Sequence, residues 1–177
     1  MRRSLDFLYN AAGALAAVCV LAICIGMIGQ SVFRLLGWRT GATNDVVGWL
    51  CAAAAFFAMA HTFKHGDFVR VTLLLEKLND AQKRWFDIVS LALATLFVGY
   101  LAYWAARYAY ESWLYKDMAN GLWAVPMWIP QLSFVFGAAL FFVAVLDEFI
   151  RVLAGHKPSY QVAVEERHAK GDFSSDV

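Results

Sequence analysis

Charged side chains are absent from Phe7 through Phe33, and the same pattern recurs three more times before residue 147. A run of 27 uncharged residues, at about 1.5 Å of rise each, exceeds the ~30 Å thickness of a bilayer's hydrocarbon layer. A segment in lipid must satisfy its own backbone hydrogen bonds, so each run is read as a transmembrane helix. The pattern predicts spans at about 5–36, 45–63, 81–113 and 130–153. Ser4 is placed to cap the first, and Thr43 and Asn44 open the second. Asn79 followed by Gln82 has capping-box spacing at the third. Pro130 suits the first turn of the fourth, which stops before Gly155 and Pro158.

Between the second and third spans the periodicity changes. From Asp67 to Leu78 a helical projection gathers Phe68, Val71, Leu74, Leu75 and Leu78 on one side and Arg70, Thr72, Glu76 and Lys77 on the other. That is an amphipathic helix suited to the plane of the membrane interface, with Gly66 breaking continuity with the second span. The expected fold is all-α: a polytopic membrane protein with four transmembrane helices and a cytoplasmic interfacial helix at about 67–78. One membrane domain fills 1–155, and a polar cytoplasmic tail covers 156–177.

Composition agrees with this reading. The 177 residues are 61% hydrophobic and only 16% charged, where a soluble domain carries about a quarter. The net charge of +1 and the lack of a basic run give no surface for nucleic acid. Lys and Arg set the orientation. Eleven of them fall at the N-terminus, in the second connection and in the tail, against four (Arg34, Arg39, Arg107 and Lys116) on the other side. Both termini are therefore expected in the cytoplasm. Trp104, Tyr108, Tyr110, Trp113, Tyr115, Trp123 and Trp128 cluster around the third connection, as rings at headgroup level do. The first apolar run is too long for a secretory signal, whose core is ~7–15 residues, and is read as a retained helix. Cys19, Cys24 and Cys51 all lie in apolar runs, with no CxxC pair and no loop cysteine, and read as small hydrophobes.

A carrier that works alone places ionisable groups or broken helices at mid-membrane. Here those groups stand at helix ends. His61 lies near the cytoplasmic end of the second span, and its plain reading is hydrogen-bonded packing or an interface residue. Arg107 and Glu111 stand four apart near the external end of the third span; Asp147 or Glu148 with Arg151 has similar spacing at the internal end of the fourth. These read as local ion pairs. Arg34 is placed to snorkel to lipid phosphate. Alanines and glycines crowd the first two spans, a composition that favours close helix packing, while Phe97, Tyr100, Phe134, Phe136, Phe141 and Phe142 make the last two bulky. No nucleotide-binding glycine loop, metal-spaced cluster or nucleophile–base motif appears, so no cofactor is expected. The residues point to an accessory subunit rather than an enzyme.

Two stretches carry a resemblance. One is Asn44-Asp45-Val46-Val47-Gly48-Trp49-Leu50, then an alanine-rich span, then Lys64-His65-Gly66-Asp67-Phe68-Val69-Arg70-Val71-Thr72-Leu73-Leu74. The other is Ala124-Val125-Pro126-Met127-Trp128-Ile129-Pro130-Gln131 leading into Phe136-Gly137. In order and spacing, over about residues 5–155, they resemble the small membrane subunit of tripartite ATP-independent periplasmic (TRAP) transporters. The sequence departs from that pattern at Phe68, where histidine is common, and at Thr72, where aspartate is common. The resemblance implies a large membrane subunit that carries substrate and sodium, and a periplasmic substrate-binding protein that delivers an organic acid. This chain is then a scaffold in the bacterial inner membrane. Arg34, Asp45, His61, Asp67, Arg70, Arg107, Glu111, Trp128 and Pro130 are the residues expected to contact partner or lipid.

Two other classes compete. A membrane anchor of a redox enzyme rests on His61 as a haem ligand, but no second histidine lies in a span. A small self-sufficient exporter needs an embedded carboxylate, and Asp45, Glu111 and Asp147 all sit at helix ends.

Overall fold

The computed structural model describes residues 2–38, 41–65, 79–121 and 123–155. Four helices account for nearly all of them: α1 (Arg2–Leu35), α2 (Thr43–His65), α3 (Asp80–Leu114) and α4 (Trp128–Leu153). All four are long and apolar enough to cross a membrane. With 34 and 35 residues, α1 and α3 are each about 50 Å long, so they tilt or protrude from a bilayer core of ~30 Å. The expected interfacial helix at 67–78 and the tail from 156 lie outside the described residues.

The helix ends follow local chemistry. At the close of α1, Gly37 takes a left-handed conformation (φ 80°). Its N–H donates to the Arg34 carbonyl at 3.1 Å, and the Trp38 N–H donates to the Phe33 carbonyl at 2.9 Å. This is a Schellman cap, with the Phe33 and Trp38 rings stacked at 5.6 Å as its hydrophobic contact. At the start of α3, the Asn79 N–H donates to Gln82 Oε1 at 3.1 Å, one arm of the capping box.

The helices pack as a row, α1 on α2, α2 on α4, and α4 on α3. Small residues set the first seam. Ala12, Ala16 and Cys19 of α1 recur at helical spacing and meet Ala53, Ala54 and Phe57 of α2. Water does not drive helices together inside lipid, so close van der Waals contact along such a seam is the main attraction. Tyr9, Ala60 and Ala144 form a second cluster that ties α1, α2 and α4 together, with Phe63 and Phe141 edge to face beside it. Between α2 and α4, Gly137 lets the two backbones approach: a Cβ there would stand 2.6 Å from Phe56 Cβ and 3.2 Å from the Phe57 nitrogen. Between α3 and α4, Gly99 makes room for the Phe142 ring.

This order leaves α1 and α3 at the flanks. Both expose many large apolar side chains, among them Leu15, Val18, Leu21, Ile25 and Ile28 on α1, and Leu93, Leu96, Phe97, Tyr100 and Trp104 on α3. The sheltered α2 has only Met59 in that class among the described residues.

Candidate functional site

Polar and charged groups collect at the two ends of the row. One end carries the α1–α2 and α3–α4 connections. There Gln30 Nε2 donates to Asn44 Oδ1 at 3.1 Å, clipping the end of α1 to the start of α2. Asp45 stands in the first turn of α2, where a carboxylate favours the positive end of the helix dipole. It is half-buried, with its carboxylate against Gly121, where a Cβ would collide with it. Asp45 therefore joins α2 to the α3–α4 connection.

That connection has a defined shape. Lys116 adopts φ 55°, and the N–H groups of Lys116 and Asp117 donate to the carbonyls of Trp113 and Ser112 at 3.4 and 3.0 Å. Lysine thus fills the cap position that glycine holds after α1. An antiparallel bridge then pairs Met118 with Pro126. The Ala119 N–H donates to the Val125 carbonyl at 2.8 Å, and the Met127 N–H donates to the Asp117 carbonyl at 2.9 Å. The chain enters α4 through Trp128 and Pro130, both half-buried. Pro130 sits in the first turn, where an N–H would lack an intrahelical partner. Beneath the connection is a cleft of about 290 Å³, lined by Tyr108, Ser112, Asp117, Met118, Asn120, Met127 and Gln131.

On the outer face of α3, Arg107 Nε donates to Glu111 Oε1 at 3.0 Å, with both side chains about half exposed. The guanidinium lies 5.0 Å from the centre of the Trp104 ring, a cation–π distance. Arg34 is exposed at the end of α1. Arg34, Asp45, Arg107, Glu111, Trp128 and Pro130 thus all stand toward the same end of the row, while Arg107 and Glu111 pair on the exposed face of α3.

His61 stands toward the opposite end of α2. Its Nδ1 lies 3.1 Å from the Tyr9 carbonyl oxygen; a carbonyl only accepts, so Nδ1 carries the hydrogen. The ring is close enough to α1 that a Cβ on Gly13 would come within 2.8 Å of it. His61 is thus a clasp between α1 and α2. Asp67 and Arg70 lie outside the described residues.

Two buried polar residues escape a reading by position along the chain. Glu148 is only 3% exposed, although it reads as one of a solvated acidic pair near the end of α4. Its helical phase gives it away: Ala138, Val145, Glu148 and Val152 fall on one stripe, and all four are buried. Glu148 is not left without a partner, whereas Arg151 Nε is buried with no hydrogen-bond partner among the described residues. Ser112 is 1% exposed, and its neighbours Trp113 and Leu114 gave no hint of that. Among the described residues no three His, Cys, Asp or Glu side chains converge to hold a metal ion.

The arrangement offers surfaces and clasps rather than a reaction centre. A comparison with curated proteins finds no match. A family model for the DctQ component of tripartite ATP-independent periplasmic transporters matches residues 20–155. That interval takes in α2, α3, α4 and most of α1, so this multi-pass membrane chain belongs to the DctQ family and is the small subunit of a TRAP transporter.

Proposed function

We propose that the chain is a scaffold that supports the large membrane subunit during sodium-driven, binding-protein-dependent uptake of an organic acid. Family membership supports the tripartite setting. The observation that carries the scaffold role is the row packing: α2 and α4 are shared between neighbours, while α1 and α3 expose broad apolar faces. Such a row enlarges a static wall in the membrane against which a mobile element of the large subunit moves. The charge-free centres of the spans support the same role, because a carrier needs ionisable groups there.

The distribution of Lys and Arg supports both termini in the cytoplasm of a bacterium's inner membrane. The connection end then faces the periplasm. There the loop braced by Asp45, with Trp128 and Pro130 behind it, is offered to the binding protein. Arg107 and Glu111 are offered to the large subunit, and Arg34 to lipid phosphate. Asp67 and Arg70 belong to the interfacial segment that braces the assembly from the cytoplasmic side. His61 contributes indirectly, by fixing α1 on α2.

The test is purification of the tagged chain from its native membrane under mild detergent. A much larger membrane protein should accompany it, and deleting the gene should abolish uptake. A chain that purifies alone from cells whose uptake survives the deletion would remove the proposal.

A further inference from the structure

The cleft beneath the α3–α4 connection has a chemistry that the scaffold role leaves unused. Its walls come from the end of α3 (Tyr108, Ser112), the loop (Asp117, Met118, Asn120) and the start of α4 (Met127, Gln131). The Lys116 cap and the Met118–Pro126 bridge hold these walls in place, so the cleft is preformed. Asp117 is the only charged residue lining it among the described residues. Gln131 Oε1 is buried with no hydrogen-bond donor among them. A buried carbonyl without a donor is destabilising, and one water fills only ~30 Å³ of this space. The cleft therefore suits a small group that brings donors and positive charge. Two methionine side chains and the Tyr108 ring line it for a short carbon stem, and an aromatic face attracts a cation. An organic acid fits badly, since Asp117 would repel it and no Lys, Arg or His among the described residues lines the cleft.

Its level in the membrane narrows the choice. Trp104, Tyr110, Trp113 and Tyr115 are exposed around the same end of α3, and such rings mark the headgroup layer. We propose that the cleft binds a primary ammonium group at headgroup level, presented by an ethanolamine phospholipid or by a free small amine. Gln131 Oε1 and the Asp117 carboxylate accept its hydrogen bonds. This inference stands apart from the scaffold proposal, since it needs neither partner subunit.

The test uses the full chain in nanodiscs containing equal phosphatidylethanolamine and phosphatidylglycerol, extracted into detergent and weighed by native mass spectrometry. The wild-type chain should retain phosphatidylethanolamine in preference. Asp117→Asn and Gln131→Met should each weaken that preference about tenfold, the loss expected for one charge-assisted hydrogen bond. Thr62→Ala, at the other end of α2, should leave it unchanged. Thermal unfolding of every variant establishes that it is folded. If neither lipid is preferred but ethanolamine stabilises the lipid-free chain and not the two variants, the source is a soluble amine and the site stands. The site is overturned if the wild type discriminates neither lipid nor amine, or if folded Asp117→Asn and Gln131→Met bind as the wild type does.

Discussion

Gly137 is the point at which the two halves of the row depend on one another. It lies on α4 where α2 crosses, and an added methyl would meet Phe56 Cβ at 2.6 Å, the Phe56 carbonyl carbon at 3.0 Å and the Phe57 nitrogen at 3.2 Å. Ordinary contact begins near 3.4 Å, so the helices must part by close to an ångström. Two of the three opposing atoms are backbone and cannot rotate away. The same movement would disturb the edge-to-face pair of Phe56 and Phe134, whose centroids are 4.1 Å apart. Overpacking of this kind costs about 1–3 kcal/mol, and the rigid backbone puts Gly137→Ala at the upper end. Replacing a helical glycine by alanine returns roughly 1 kcal/mol. The net expectation is a loss of about 2 kcal/mol, which lowers the unfolding midpoint by about 4–8 °C in a chain of this size. Gly48→Ala is the matched control. Its Cβ would meet nothing within 4 Å, so it should gain up to about 1 kcal/mol from helix propensity alone. Both variants can be followed by tryptophan fluorescence during heating in one detergent. If Gly137→Ala unfolds at or above the temperature of Gly48→Ala, the close crossing of α2 and α4 is wrong.

Three further outcomes follow from the same geometry. Gly13→Ala should cost about 1–3 kcal/mol through collision with the His61 ring. In a His61→Ala background that cost should vanish, and a double-mutant cycle on unfolding midpoints measures the coupling. Lys116→Gly should raise stability by about 0.5–1 kcal/mol, because relief of left-handed strain exceeds the added freedom of the unfolded chain; Lys116→Val should lower it, and thermal unfolding reads both. Gly121→Ala should displace the α3–α4 connection from Asp45 and speed protease cleavage within 115–127, while adding Asp45→Ala should restore resistance, as seen by mass mapping of the fragments.

Much of the fold was legible in the chain. Four uncharged runs predict four helices because lipid permits an isolated span no other backbone state. The alanines at 12, 16, 53 and 54 predict close packing for a similar reason, since small residues are what allow backbones to touch there. The order of the helices in space was not legible. It depends on which faces meet, and in a chain apolar on every side the periodicity that marks a buried stripe in a soluble protein is weak. Glu148 illustrates this. Its charge suggested an exposed end, while its phase with Val145 and Val152 put it on the packed stripe. The cleft was also invisible, since Ser112 and Gln131 come together only through the turn at Lys116 and the bridge at Met118. The closeness of Asp45 to Gly121 spans 76 positions of sequence, beyond the reach of any local pattern.

Reconstitution tests the scaffold role most directly. The chain is placed in proteoliposomes alone, and then with the large subunit and the binding protein, and sodium-driven accumulation of a labelled organic acid is followed. The chain alone should leave the internal concentration at the passive level, and accumulation should appear only with its partners present. Sodium-driven accumulation by the lone chain would contradict the account.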